Sequence, residues 1–246
     1  MADSEAKLDI GRVLSNTFGV ISRNPLVFLG LSFLIVGIPN ALIQFFQGSS
    51  DLEATAFSSP GAVLGTATGS IVVMFFSILL QATLIVATVK DLNGQQFNLG
   101  DCVNKAVSKL LPLLGLGLLV SLGIVVGMIF LIVPGIILAL MWMVATPVLM
   151  TEDLGVVDAL KRSANLTSGS KWLLFLLFII FAIAGAIIAA IGGLLSLFGS
   201  TGLIIVALLV NTITGALQGA GVASVYVDLR TQKEGTDTSA LADVFS

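Results

Sequence analysis

Apolar residues in this chain come in runs long enough to cross a bilayer, separated by shorter stretches in which apolar positions recur with helical spacing. A spanning helix needs about 20 mainly apolar residues. Six stretches meet or approach that length, 25–46, 62–89, 110–132, 134–150, 172–197 and 201–227, and none contains Asp, Glu, Lys or Arg. The fourth is the shortest and opens with Pro134-Gly135. Residues 110–150 therefore read as a hairpin turning at Val133-Pro134-Gly135, with a re-entrant loop as the alternative for 134–150. Proline suits the first turn of a helix, where its missing N–H costs nothing.

Three of the intervening segments are themselves helical in pattern. Residues 8–22 gather Leu8, Ile10, Val13, Leu14, Phe18 and Ile21 near one face, with Arg12, Ser15, Asn16 and Ser22 mostly opposite. Residues 98–111 set Leu99, Cys102, Val103, Ala106, Val107 and Leu110 against Asp101, Asn104, Lys105 and Ser108. Residues 155–166 set Val156, Val157, Ala159, Leu160, Ala164 and Leu166 against Asp158, Lys161, Arg162 and Ser163. Such segments lie in the headgroup region, apolar face down. The order amphipathic helix, span, outer turn, span thus occurs three times in one orientation, unlike the inverted repeats of transporters. Residues 1–24 are too polar for a cleavable signal peptide, so the run from Pro25 reads as a retained span. The polar tail, 228–246, reads as flexible, with docking of Leu241 to Phe245 as the alternative.

Composition agrees with a bilayer. The chain has 246 residues, 57% hydrophobic and 10% charged, with mean hydropathy +1.09. Soluble domains carry about 25% charged residues, and a soluble chain this apolar would aggregate. An ordinary soluble enzyme, a disordered chain and a nucleic-acid binder are excluded, and a net charge of −3 offers nucleic acid no attraction. There is no His, so the commonest general base and metal ligand is missing. The single Cys102 cannot form an intrachain disulfide. It reads as an inert small residue, with a dimer-linking disulfide as the alternative.

Charge then sets the topology. The eleven Lys and Arg residues are Lys7, Arg12, Arg23, Lys90, Lys105, Lys109, Lys161, Arg162, Lys171, Arg230 and Lys233. With six spans, all fall in the N-terminal segment, the 2–3 loop, the 4–5 loop or the tail, while the first outer loop carries Asp51 and Glu53. The positive-inside rule places both termini in the cytoplasm. Five spans would split the basic residues between the two sides.

Small residues recur at four-residue spacing: Gly61, Gly65 and Gly69, then Gly123 and Gly127, then Gly185, Ala189 and Gly193, then Gly215 and Gly219. Close backbone approach supplies packing energy inside lipid, within one chain or between chains. Uncharged polar residues within the spans are few, chiefly Gln44, Gln81, Asn211, Thr212, Thr214 and Gln218. Asn211, Thr214 and Gln218 share one face, as a polar path or as interhelical glue. With no ionisable group at membrane depth, proton- or ion-coupled transport is disfavoured. Glu152, Asp153 and Asp158 cluster after the fourth span, as a cation site or, more economically, as helix-start residues. No phosphate-binding loop, dinucleotide fingerprint or other cofactor motif is present. The Asn165-Leu166-Thr167 sequon is void in a cytoplasmic place.

The run Val133-Pro134-Gly135-Ile136-Ile137 through Pro147, then Glu152, Asp158-Ala159-Leu160-Lys161-Arg162-Ser163, Leu166 and Gly169, resembles a bacterial multi-span family that includes the membrane domain of some glycerophosphoryl diester phosphodiesterases. The likeness covers most of the chain. Two departures stand out: Leu140, Met141 and Trp142 occupy a stretch where the family often has an Arg, and the catalytic domain is absent. The resemblance implies a bacterial inner-membrane protein tied to envelope or lipid homeostasis, and its enzyme activity does not carry over.

The expectation is an all-α polytopic membrane protein with three parts: a cytoplasmic segment over 1–24, a six-span membrane domain over 25–227, and a cytoplasmic polar tail over 228–246. Three amphipathic interfacial helices lie on its cytoplasmic side. The expected function is a non-catalytic scaffold or accessory factor. The alternative is a passive solute or lipid conduit using the face of Asn211, Thr214 and Gln218 with Gln81. Expected partners are membrane lipids and other membrane proteins or further copies, with no nucleic acid and no cofactor.

Overall fold

The computed structural model describes residues 8–40, 60–195 and 200–244. Among them there are helices and no strands. In chain order the helices are α1 (Ile10–Arg23), α2 (Pro25–Ser32, running on through a π-helical turn at Phe33–Gly37), α3 (Pro60–Leu92), α4 (Leu99–Ser108), α5 (Leu110–Phe130), α6 (Ile132–Met141), α7 (Ala145–Thr151), α8 (Val156–Thr167), α9 (Lys171–Leu195) and α10 (Ser200–Val244). Among the described residues five segments are long and apolar enough to cross a membrane: Val73–Leu92, Leu110–Phe130, Ile132–Thr151, Lys171–Ile191 and Leu208–Gly235. A sixth is added if the bent pair Ile10–Arg23 and Pro25–Asn40 makes one span. The end of the first expected span (41–46), Gln44, Asp51 and Glu53 lie outside the described residues.

Local chemistry explains the helix limits. Asp9 caps α1 by accepting the Arg12 N–H at 3.1 Å, and Asn98 caps α4 by accepting the Gly100 N–H at 2.9 Å. Pro25 opens α2, where its fixed φ is already helical. The turn between α5 and α6 falls slightly earlier than the sequence implies. Leu131 alone is extended, and Pro134 already sits in the first turn of α6.

The chain divides into two compact units. The first comprises Met1–Val20, Ala82–Ile180 and Gly219–Ser246. Its core includes Val13, Leu84, Leu116, Leu149, Leu166, Leu174 and Tyr226. Within it α5 and α6 form a tight antiparallel pair. A Cβ on Gly127 would lie 3.0 Å from the Gly135 Cα, and one on Gly135 would lie 2.9 Å from the Met128 backbone nitrogen. A Cβ on Gly123 would overlap the Trp142 ring. Glycine is required here for backbone approach. The helix breaks between α6 and α7 at Trp142–Val144, which frees carbonyls at the end of α6. Ser163 of α8 donates to one of them, the Met141 oxygen, at 2.8 Å. An unpaired carbonyl in hydrocarbon would be costly, so this bond makes the break tolerable.

The second unit comprises Ile21–Gln81 and Phe181–Gln218. Here α2, α3 and α10 meet on small residues. A Cβ on Gly37 would lie 2.7 Å from Thr212 Oγ1, and one on Gly215 would lie 3.5 Å from Ser32 Oγ and 3.6 Å from Leu80 Cδ2. Phe28 is fully buried in the same unit.

The last helix differs from the sequence expectation, since it continues through the polar tail to Val244 instead of stopping near 227. Arg230 and Glu234 explain the first part of that extension. They pair at i, i+4 with Nε to Oε2 at 2.7 Å, an arrangement that supports helix.

Candidate functional site

Charged residues of the first unit pair in separate clusters, two of which lie along α10. Asp228 of α10 is buried, with no side-chain exposure, and pairs with Arg12 of α1. It also accepts the Asp9 N–H at 3.1 Å and Gln232 Nε2 at 2.7 Å. A buried carboxylate is stable only when its lone pairs are met in this way. One α10 turn before Arg230, the Tyr226 hydroxyl donates to Glu152 Oε1 at 2.9 Å and accepts from Arg230 Nη1 at 3.3 Å. Thr151 Oγ1 lies 2.9 Å from the same hydroxyl. Arg162 of α8 bridges two carboxylates, Glu152 at 2.9 Å and Glu234 of α10. Lys233 donates to the Asn165 carbonyl of α8.

A second tie joins the start of α5 to the end of α7, where Lys109 Nζ meets Asp153 Oδ1 at 2.9 Å. This hydrogen bond, with added attraction from Lys109 and Lys105, holds the Asp153 carboxyl below the usual carboxylate range. The pairing is therefore intact above that range and is lost as pH falls through the lowered value. Asp153 has φ 50°, a left-handed conformation that Asp tolerates better than most residues.

These pairs have a topological meaning. Arg12 precedes the first apolar run and Asp228 follows the last. Lys109 precedes α5 and Asp153 follows α7. Arg162 and Glu234 join the segment after α7 to the C-terminal part of α10. All belong to the first unit, in which these pairs tie α1 and α8 to α10 and the α4–α5 junction to the end of α7.

The acidic residues read as a cluster from sequence turn to separate partners. Glu152 turns to Arg162 and Tyr226, Asp153 to Lys109, and Asp158 to Lys161 at 3.5 Å. The helix-start role fits Asp158 alone, in the first turn of α8. Among the described residues no group of three or more His, Cys, Asp or Glu is placed to hold a metal. Cys102 is buried, and that burial, with Asp101 nearby, pushes its thiol up while Lys90 and Lys105 pull the other way.

The intramembrane residues divide. Gln81 Nε2 donates to Gln218 Oε1 at 2.8 Å in the second unit, with Gln218 exposed. Thr214 and Asn211 are half-buried along the same face of α10. Thr212 is buried on another side, donating to the Leu208 carbonyl at 2.5 Å. Gly123, Gly127 and Gly219 stand at close helix contacts, Gly219 with a Cβ position 2.7 Å from Leu84 Cβ, and Gly215 stands at ordinary contact distance. Gly185 and Gly193 do not, since a Cβ there would meet nothing within 4 Å. Gly61, Gly65 and Gly69 fall in the helical opening of α3, and their surroundings lie outside the described residues.

Against protein-family models, curated proteins and solved structures, nothing matches this chain.

The sequence reading missed Tyr226, Asp228 and Glu234 as partners. A signal was available: Tyr226, Arg230 and Glu234 are spaced at i, i+4 and i+8, the spacing of one continuous helix face.

Proposed function

We propose that this chain is a non-catalytic scaffold or accessory factor of a bacterial inner membrane, serving envelope or lipid homeostasis, with six spans and both termini cytoplasmic. The observation that carries the reading is the set of Arg12–Asp228, Lys109–Asp153 and Arg162–Glu234 pairs. It supports an even number of crossings between the paired segments, and the positive-inside rule makes that end cytoplasmic. The bacterial placement rests on the resemblance to the phosphodiesterase-linked membrane domains.

α1, α4 and α8 then serve as interfacial helices. Each buries a stripe in the first unit, respectively Val13, Thr17 and Val20; Cys102 and Ala106; and Ala159, Ser163, Leu166 and Thr167. Each leaves apolar side chains exposed: Phe18 on α1, Val103 and Val107 on α4, Val157 on α8. Apolar side chains beside basic ones suit the headgroup boundary. Charge pairs that fix α1 and α8 to α10 make a rigid surface rather than a reaction centre.

The exposed Gln81–Gln218 pair favours one rival, a passive conduit for solute or lipid. Reconstitution in liposomes separates the two. The scaffold reading expects glycerol entry and lipid scrambling to stay at the level of protein-free vesicles. Flux or scrambling that disappears in Gln218→Leu would overturn it in favour of the conduit.

A further inference from the structure

The Gln81–Gln218 pair leaves unused hydrogen-bonding capacity at membrane depth. Gln81 lies nine residues from Lys90, and Gln218 lies twelve from Arg230. At 1.5 Å per residue these separations are about 13 and 18 Å along the helix. With Gln81 donating to Gln218 Oε1, the Gln81 carbonyl oxygen and the Gln218 amide protons remain. Gln218 is exposed and Gln81 half-buried, so the pair lies at the surface of the second unit. Polar groups turned toward hydrocarbon cost several kcal/mol unless they find a partner. Ser77 on α3 and Thr214 on α10, each one turn from its glutamine, are small and half-buried, so another helix can approach closely.

From this geometry we infer that the α3–α10 face is a self-association surface, closed by a second copy of the chain through a ring of glutamine amides. What is left over is self-complementary: one glutamine offers an acceptor and the other offers donors. A two-fold axis along the membrane normal sets α10 of one copy against α3 of the other. Gln218 of each copy then donates to the Gln81 carbonyl of its partner at equal depth. Reversing both amides leaves the match unchanged. A lipid chain offers no such groups, and a single headgroup would have to descend to the level of the pair. The inference rests on the bilayer placement proposed above.

The test uses the full chain in liposomes, with association read by energy transfer between labelled copies as protein is diluted into lipid. Carbonate extraction of the same samples checks integration. Gln218→Leu and Gln81→Leu should each raise the dissociation constant about tenfold, a change of 1.4 kcal/mol. Leu118→Ala, an exposed change on α5, should leave it unaltered. In a Cys102→Ala background, Thr214→Cys should cross-link under mild oxidation and lose that cross-link when Gln218→Leu is added. A chain that is integral but monomeric at every dilution overturns the inference alone. So does a dimer indifferent to both glutamine substitutions. A chain released by carbonate overturns the bilayer placement as well.

Discussion

Replacing Gly135 by Leu is expected to lower the unfolding midpoint of the purified protein by roughly 10 °C, from a loss of about 3 kcal/mol. The reason is what the side chain would meet. A Cβ at Gly135 lies 2.9 Å from the Met128 nitrogen and 3.1 Å from the Met128 Cα. These are backbone atoms of α5 and cannot rotate aside. Overpacking can be relieved only by separating α5 from α6, and that separation also strips the neighbouring Gly127 contact. Gly185→Ala supplies the contrast. Its Cβ would meet nothing within 4 Å, so the gain in helix propensity, about 1 kcal/mol, is unopposed. A thermal melt in detergent should show a fall for the first variant and no fall for the second. Equal behaviour would mean that the α5–α6 approach is not as close as described.

Arg162→Ala should cost about 2 kcal/mol, reduced from the value for a fully buried pair because Arg162 keeps 28% side-chain exposure. The cost arises from what is left behind. Glu152 and Glu234 lose their shared cation, and Glu152 is only 14% exposed. Arg162→Lys should recover part of the loss, because it keeps the charge but cannot present the guanidinium fork to two carboxylates. Arg162→Ala combined with Glu152→Gln should be less damaging than the two separate losses summed, because the stranded charge is removed with its partner. Strict additivity in the melt would show that Arg162 and Glu152 do not interact.

Much of the fold is legible in the sequence, because spans announce themselves by length and by freedom from charge. The runs at 110–132 and 172–197 reappear as α5 and α9 with only small changes at their ends. The short segments are legible as helices for a related reason: apolar positions in 8–22, 98–111 and 155–166 recur every three or four residues. Two things are not legible. The break at Trp142–Val144 depends on a hydrogen bond from Ser163, twenty-two positions from Met141, and no local pattern encodes it. The glycine motifs are ambiguous for the same reason. Gly123 and Gly185 sit in similar spacings, and only the identity of the facing helix makes one a contact and the other open. The charged network was partly readable. Arg230 and Glu234 at i, i+4 already argue that helix continues past residue 227, whereas their meeting with Arg162 and Glu152 is tertiary.

The central claim is that the basic segments share one side of the membrane, and side-specific labelling tests it most directly. Single cysteines would be placed by Ser15→Cys, Asn104→Cys, Lys161→Cys, Thr231→Cys and Leu131→Cys in a Cys102→Ala background. They would be treated with a membrane-impermeant maleimide in right-side-out and inverted vesicles. The account predicts that the first four label only in inverted vesicles and that Leu131→Cys labels only in right-side-out ones. Labelling of Asn104→Cys and Lys161→Cys from opposite sides would contradict it, because α5 to α7 would then make an odd number of crossings.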